Sequence, residues 1–161
     1  MSRLKILIPI LLSLILGCTL LHHPRKEDYK TGVVSLNELK QYLWFKEEYK
    51  NYTLSEKGYD SLLGLNNLKI IIVGGEWCSD TRLQLPRFIK ILETKQFSTE
   101  NLKIVFVNQE KQIPKDYEKF QIKFVPTFII IDKTGNEQGR IVESPIKNLE
   151  DDLLKIITKT H

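Results

Sequence analysis

A cysteine set between a tryptophan and a Ser-Asp pair is the strongest candidate for chemistry in this sequence. The segment reads Gly75-Glu76-Trp77-Cys78-Ser79-Asp80-Thr81, and it joins a buried-strand pattern to the start of a helical pattern. Unpaired backbone N–H groups and the positive end of the helix dipole favour a thiolate at such a position. Because the thiolate is the nucleophilic form of cysteine, the pattern predicts a reactive Cys78. A structural cysteine, packed and inert, is the alternative.

The neighbours of Cys78 have predicted roles of their own. Trp77 should cover one side of the sulfur with apolar surface. Asp80 carries a negative charge that either repels a thiolate or stabilises the helix N-terminus as a first-turn acid, and the sequence leaves both effects open. The hydroxyl of Thr81 can at most hydrogen-bond the thiolate. The remaining active-site neighbours are Glu76 and Ser79.

Hydrophobic patterning predicts the elements that must hold this segment in place. A β-branched run over residues 68–73 predicts a buried central strand, and a helix follows from Cys78 to about Thr94 with a kink at Pro86. The later predicted elements are strands at 102–107, 124–131 and about 137–142, a short helix at 114–120, and a last helix from its cap Asn148 to Ile157. The order β-α-β-α-β-β-α predicts an α/β sandwich with a mixed sheet.

Helical patterns also precede the first of these strands. Ser35-Leu36-Asn37-Glu38 has the residue types of a capping box, which predicts a helix continuing to about Lys50. Thr53 and Glu56 repeat the capping pattern before a short helix around residues 56–63. The two helices form a predicted N-terminal extension over residues 35–65, in front of a domain that spans residues 66–161.

Three motifs of this sequence resemble those of the thioredoxin family. The segment from Trp77 to Thr81 resembles the family's W-C-x-x-C active site, and Pro86, eight residues after Cys78, resembles its helix-kinking proline. Val125-Pro126-Thr127 resembles its cis-proline loop, which lies beside the active-site sulfur. The resemblance covers about residues 66–160 and implies a thioredoxin-like fold, in which a mixed sheet is flanked by helices. It also implies a substrate groove at residues 125–127, where the backbone before the proline pairs with the substrate.

The departures from the family pattern concern the second half of the redox pair. Thr81 stands where dithiol members have the cysteine that resolves the mixed disulfide, and Ile72 stands where they have a buried carboxylate. The resemblance therefore implies a monothiol protein, in which Cys78 attacks a disulfide or a glutathione mixed disulfide and an external thiol resolves it. The stretch Gly139–Pro145 is similar to exported thioredoxin-like lipoproteins of Bacteroidetes type.

Two other functions remain open for the same residues. The first is a redox-inactive module that holds extended peptide segments in the groove beside Pro126 by backbone pairing. The second is a peroxide-reacting or redox-sensing thiol, with Cys78 passing through a sulfenic acid. The missing second cysteine favours the peptide-binding module over a dithiol enzyme, whereas the helix N-terminal position of Cys78 favours exchange.

The N-terminus predicts where the protein works. Arg3 and Lys5 precede an apolar stretch of 11 residues, 6–16, which is too short to span a bilayer and suits an export signal. Ile15-Leu16-Gly17-Cys18 resembles the bacterial lipoprotein box. The resemblance implies a signal peptide at 1–17, lipidation of Cys18, and a tether over residues 18–34. The domain would then face the periplasm from the bacterial envelope, with a leaning towards the outer membrane; an uncleaved N-terminal anchor is the alternative.

Composition excludes several other classes of protein. The chain has 161 residues, of which 42% are hydrophobic and 27% charged, as in one globular domain. Two cysteines cannot build a disulfide scaffold, and a net charge of +4 spread along the chain indicates no nucleic-acid partner. His22-His23 is too small a cluster to predict a metal site, and no cofactor is expected. The expected partners are a disulfide-bearing or glutathionylated protein or a small thiol, an external reductant, and the membrane through the lipid.

Overall fold

The structure is a computed structural model that describes residues 29–55, 62 and 64–159. The predicted signal peptide, the lipidation site Cys18, His22-His23 and most of the predicted tether lie outside the described residues. Most of the second predicted N-terminal helix, around residues 56–63, lies outside them as well. Within the described part of the chain, no helix is both long and apolar enough to cross a membrane.

A five-stranded mixed sheet forms the centre of the fold. Its strands are β1 (Gly32–Val33), β2 (Lys69–Gly74), β3 (Leu102–Phe106), β4 (Thr127–Ile131) and β5 (Glu137–Val142). Their order across the sheet is β1-β3-β2-β4-β5. β2 and β3 are parallel, and the other neighbouring pairs are antiparallel. The strand that leads to the cysteine segment, β2, is therefore the middle strand of the sheet.

Helices cover the sheet and enclose the core. They are α1 (Leu36–Leu39), α2 (Leu43–Asn51), α3 (Ser79–Thr94) and α4 (Leu149–Thr158), with 3-10 turns at Leu65–Asn67, Thr99–Asn101 and Lys115–Phe120. Phe88 of α3 packs on Phe128 of β4 with ring centroids 4.4 Å apart. Phe120 packs with Ile129 and Ile131 in a separate cluster. The predicted α/β sandwich with a mixed sheet is thus confirmed.

The sheet includes residues that the sequence analysis assigned to the tether. Gly32 pairs with Phe106 and Val33 pairs with Val105, antiparallel to β3. The next residue, Val34, is 3% exposed, and its N–H donates to the Ile104 carbonyl at 3.0 Å. The strand is only two residues long, so the sequence carries no alternating pattern that could predict it. The described end of the predicted tether, from residue 32 to residue 34, is part of the folded domain.

The predicted helix from residue 35 to about Lys50 is two helices. The capping box is present, because Ser35 Oγ accepts from the Glu38 N–H and the Glu38 carboxylate accepts from the Ser35 N–H. α1 then ends, and extended backbone at Tyr42 starts α2. Leu39 and Phe45 are 0% and 1% exposed. Six residues make about one and two-thirds turns of helix, so one straight helix would point these side chains in different directions. The break allows both to reach the core.

Polar side chains fasten α2 and the segment after it to α3 and α4. Arg87 and Glu48 form a salt bridge of 2.7 Å, and the Tyr49 hydroxyl donates to the Glu93 carboxylate at 2.6 Å. The Glu150 carboxylate is fully buried and accepts from the Tyr52 hydroxyl and the Ser55 N–H, both at 2.9 Å. α3, which starts at the cysteine, is therefore held from the side by the N-terminal helices.

Candidate functional site

Cys78 lies where the central strand gives way to α3. β2 ends at Gly74, and the Cys78 N–H donates to the Gly75 carbonyl at 2.9 Å, closing a tight turn. Cys78 is the N-cap of α3, with φ −86° and ψ 124°, and its carbonyl accepts the first helical hydrogen bond, from the Arg82 N–H. The sulfur thus stands beside unpaired N–H groups and the positive end of the helix dipole, a setting that stabilises a thiolate.

The thiol has one protein partner and is open to solvent on one side. Its S–H donates to the Val125 carbonyl, with 3.2 Å between Sγ and the oxygen. Cys78 is half-buried and packs, with Trp77, against Val73, Val107 and Val125. No other cysteine lies within the described residues, so no disulfide partner lies there for this sulfur. A partly exposed thiol at a helix N-terminus is the usual environment of a reactive cysteine.

The Val125–Pro126 loop faces the sulfur. The peptide bond between these residues is cis. The Thr127 hydroxyl donates to the Phe124 carbonyl at 2.7 Å, and the Glu143 N–H donates to the Pro126 carbonyl at 2.7 Å. Among the described residues nothing accepts from the Val125 N–H. The loop is therefore fixed from both sides and leaves one backbone donor free for an extended ligand.

Gly74 and Gly75, before the cysteine, have no room for a side chain, because other residues lie where a Cβ would be. A Cβ on Gly75 would lie 2.7 Å from the Trp77 indole, and a Cβ on Gly74 would lie 2.8 Å from Thr81 Cγ2. The Trp77 ring folds back far enough for its N–H to donate to the Val107 carbonyl at 2.9 Å. Any side chain at residue 75 would displace this indole, which packs in the same cluster as Cys78.

Thr81 sits behind the cysteine and belongs to the interior. It is 0% exposed, and its Oγ1 accepts from the Gly75 N–H at 3.1 Å. The hydroxyl thus bonds the backbone of the turn, and no hydrogen bond joins it to Cys78 within the described residues. Ile72 is also fully buried. The positions of Thr81 and Ile72 therefore supply neither a second thiol nor a buried carboxylate.

The charged neighbours of Cys78 have separate partners. The Glu76 carboxylate accepts from the backbone N–H of Lys30 at 2.8 Å, and the Glu76 carbonyl accepts from Arg82 Nε at 2.6 Å. Burial, and next to it the charge of Glu76, raises the pKa of Tyr42. Asp80 lies in the first turn of α3, where the helix dipole favours a carboxylate. Ser79 is exposed.

Three residues near the loop escaped the sequence analysis. Phe124 and Val142 are large apolar side chains that remain 49% and 37% exposed. Glu143 adopts a left-handed conformation with φ 58°, which is uncommon for a residue other than glycine. Phe124 and Val142 both lie within strands predicted from the sequence, where apolar residues normally pack inward, so only the fold reveals their exposure. No group of three or more potential ligands in the described part of the chain could hold a metal ion.

Comparison with known proteins gives the family and the fold. A family model described as thioredoxin matches residues 36–153, more than half of the chain and including the helices α1 and α2. An HIV epitope scaffold matches at 14% identity over 76% of this chain and 84% of that chain, with a TM-score of 0.55. A protein of unknown function from Pseudomonas aeruginosa matches at 15% identity over 76% and 83%, with a TM-score of 0.53.

Solved thioredoxins match over a smaller part of the chain. The thioredoxin of Fasciola hepatica is 19% identical over 63% of this chain and 90% of that chain, with a TM-score of 0.41. No curated protein matches the sequence. The match to residues 36–153, which contain the cysteine turn and the cis-proline loop, is the finding that decides the family. The chain belongs to the thioredoxin family.

Proposed function

We propose that this protein carries out thiol–disulfide exchange through one nucleophilic cysteine, Cys78. The observation that carries the proposal is the position of Sγ, at the N-cap of α3 and 3.2 Å from the carbonyl of Val125. Membership of the thioredoxin family is consistent with a redox role. Buried Thr81, which cannot form a disulfide, supports a reaction that stops at the mixed disulfide until a second thiol arrives.

The exchange has three steps. The Cys78 thiol loses its proton to solvent, and the thiolate attacks one sulfur of a substrate disulfide. The substrate S–S bond breaks, a mixed disulfide with Cys78 forms, and the other substrate sulfur leaves as a thiolate that takes up a proton. A small thiol, acting as the external reductant, then attacks the substrate sulfur of the mixed disulfide, which frees Cys78 and joins the small thiol to the substrate. A second molecule of that thiol attacks this disulfide at the sulfur of the first small thiol, which releases the reduced substrate and forms the disulfide of the small thiol.

The backbone of Val125 can also pair with a substrate. Its carbonyl accepts from the Cys78 S–H group and has a second lone pair for a substrate N–H. The Val125 N–H has no acceptor among the described residues and can donate to a substrate carbonyl. An extended substrate backbone can therefore pair with Val125 in the manner of an added strand.

Cysteine and serine variants test this proposal. Cys78→Ser should abolish reduction of a peptide disulfide by a small thiol, and intact mass spectrometry should find no mixed disulfide. Ser98→Ala, at an exposed position outside the cysteine segment, is the control and should keep its activity within about twofold. Equal activity of Cys78→Ser and the parent would overturn the proposal. Peptide binding that survives Cys78→Ala, without exchange in the parent, would instead identify a redox-inactive binding module.

We further propose that the domain is anchored in the bacterial envelope through a lipid on Cys18. The support is the sequence Ile15-Leu16-Gly17-Cys18 after an apolar stretch of signal length. Cells fed a labelled fatty acid should incorporate the label into the parent chain and not into Cys18→Ser. Equal labelling of both proteins, or a parent without label, would contradict the anchor. Separation of inner and outer membranes would then test the leaning towards the outer membrane.

A further inference from the structure

A cleft opens beside the cis-proline loop, on the side of β5. Its volume is about 320 Å³, and its lining includes Phe124, Val142, Lys123, Thr127 and Arg140. Phe124 precedes Val125, whose carbonyl is the partner of Sγ, and Thr127 pairs with Val142 in the sheet. We call this feature the Phe124 cleft. It adjoins the backbone that is proposed to pair with the substrate.

The spacing of residues along an extended substrate matches the short separation between Cys78 and the cleft. An extended chain advances about 3.3 Å per residue and presents alternate side chains on one face. Phe124 lies one residue from the position that contacts Sγ, and consecutive Cα atoms are about 3.8 Å apart. A substrate backbone paired with Val125 therefore carries a side chain to the cleft within about three residues of its reacting cysteine.

The walls of the cleft are apolar without being part of the core. Phe124 is 49% exposed and Val142 is 37% exposed, which makes them two of only five exposed large hydrophobic residues among the described ones. Val142 ends an edge strand of the sheet. Covering such side chains with an apolar group of a partner is favourable, at about 25 cal/mol per Å² of apolar surface removed from water.

The charge around the cleft is positive. The Lys111 ammonium lies 5.3 Å from the centre of the Phe124 ring and donates to the Lys123 carbonyl. Lys123 lines the cleft, and the charge of Arg140 is balanced by a bidentate pair with Glu137. No carboxylate lines the cleft among the described residues. The two lysines therefore give it a net positive charge that complements an acidic side chain.

We infer that the Phe124 cleft is a specificity site for the proposed exchange, and that it prefers extended disulfide-bearing segments with an apolar and an acidic side chain within three residues of the reacting cysteine. This inference rests on the proposed exchange at Cys78. Phe124 and Val142 would hold the apolar side chain, and Lys123 with Lys111 would attract the acidic one. Glutathione, which has no large apolar side chain, would use the thiol and leave the cleft empty.

Short peptides provide the test. Each has a central cysteine in a mixed disulfide with thionitrobenzoate, so that attack by Cys78 breaks the S–S bond and releases a coloured thiolate. One peptide carries leucine and aspartate at the second and third positions on each side of the cysteine, and the other carries serine and lysine there. Glutathione joined to the same leaving group is the small substrate. The parent should react about tenfold faster with the leucine–aspartate peptide than with either of the others.

Variants distinguish substrate recognition by the cleft from the exchange reaction at Cys78. Phe124→Ala should lose about tenfold in rate with the leucine–aspartate peptide and stay within about twofold with glutathione. Val142→Ala should also slow the reaction with the leucine–aspartate peptide, and Lys123→Glu should reduce the preference for that peptide over the serine–lysine peptide. Ile146→Ala removes an apolar side chain that is 88% exposed and does not line the cleft. It is the matched control and should change none of the rates.

Each outcome decides one of the two claims. Rapid release from all three substrates without preference, in the parent and in Phe124→Ala alike, would overturn the inference and leave the exchange function standing. Equal losses with peptide and glutathione in Phe124→Ala and Val142→Ala would also overturn it, because they would indicate a general disturbance of the loop. No release from any substrate by the parent would overturn the exchange function and the inference with it.

Discussion

At the scale of residues, the site combines a partly exposed cysteine at a helix N-cap with a buried threonine three residues later. Thr81 packs under the turn and bonds the Gly75 N–H, so the residue that replaces a second cysteine has a structural function. Gly74 and Gly75 are small because Thr81 and the Trp77 indole occupy the space where a Cβ would lie. Thr81 therefore supports the turn from the interior, and Cys78 is the only thiol in it.

Replacing the threonine should restore the dithiol. In Thr81→Cys, the new sulfur stands three residues after Cys78 at the start of α3, and mild oxidation should join the two. The variant loses the hydrogen bond to the Gly75 N–H, so its free energy of unfolding should fall by about 1 kcal/mol. Alkylation followed by mass spectrometry would count free thiols after oxidation. Alkylation of both residue 78 and residue 81 in oxidised Thr81→Cys would show that the turn does not bring these positions together.

At the scale of elements, the N-terminal helices depend for their docking on a contact with α4. Glu150 of α4 is fully buried and accepts from Tyr52 and from the Ser55 N–H, which ties the segment after α2 to the C-terminal helix. Burial, and then the hydrogen bond to Glu150, raises the pKa of Tyr52. A buried carboxylate needs every one of its donors. This contact is therefore the place where loss of one atom should most affect the docking of the N-terminal helices.

Tyr52→Phe removes only the hydroxyl from that contact. Among the described residues the Glu150 carboxylate keeps one donor, the Ser55 N–H, and the free energy of unfolding should fall by about 1–3 kcal/mol. Urea unfolding of the parent and the variant measures the difference. Tyr117→Phe is the matched control, since the Tyr117 hydroxyl has no hydrogen-bond partner among the described residues. Equal losses in the two variants would mean that the Glu150 contact contributes nothing specific.

The capping box of α1 predicts a pH dependence. The Ser35 N–H, together with Lys30 and the Ser35 hydroxyl, lowers the pKa of Glu38 to about 2. A carboxyl whose pKa is lower in the folded state stabilises the fold above its ordinary pKa near 4.5. That contribution is lost as the pH falls from about 4.5 to about 2. Glu38→Gln should therefore be less stable than the parent at neutral pH and equal to it near pH 2.

The measurement is the urea midpoint of both proteins across this range. Glu47→Gln, at an exposed position of α2, is the control and should show no such convergence between neutral pH and pH 2. A gap between Glu38→Gln and the parent that stays constant with pH would contradict the assignment of the carboxylate to the cap.

Sequence patterns predicted those elements whose signals are local. The run Ile70-Ile71-Ile72-Val73 gave the central strand, and Asn148 gave the start of the last helix, because β-branched runs and caps act through neighbouring residues. The position of Cys78 at the end of a strand and the start of a helix could be read in the same way. The break between Leu39 and Phe45 could not be predicted from the sequence, because it depends on where the core lies. Exposure of Phe124 likewise depends on the distant strand β5.

At the scale of the whole molecule, the chain before α1 contacts both the edge of the sheet and the turn that carries Cys78. β1 covers the edge of β3, and the Lys30 N–H bonds the Glu76 carboxylate two residues before Cys78. The sequence predicted a tether here, since residues 19–34 combine charged residues with a proline and a glycine and show no periodicity. The fold instead needs a short strand at this place, because β3 would otherwise present an unpaired edge to solvent.

Adjacent valines decide whether this segment belongs to the folded unit. Val34 is 3% exposed, whereas Val33 is 55% exposed. If β1 is part of the domain, Val34→Ala should lower the free energy of unfolding by about 1–2 kcal/mol, because it removes buried methyl groups. Val33→Ala should change it by about 0.5 kcal/mol at most, as an exposed substitution does. Urea unfolding of the two variants tests the difference within one pair of residues. If both substitutions were neutral, residues 32–34 would act as a tether and the sheet would have four stable strands, with the edge of β3 exposed.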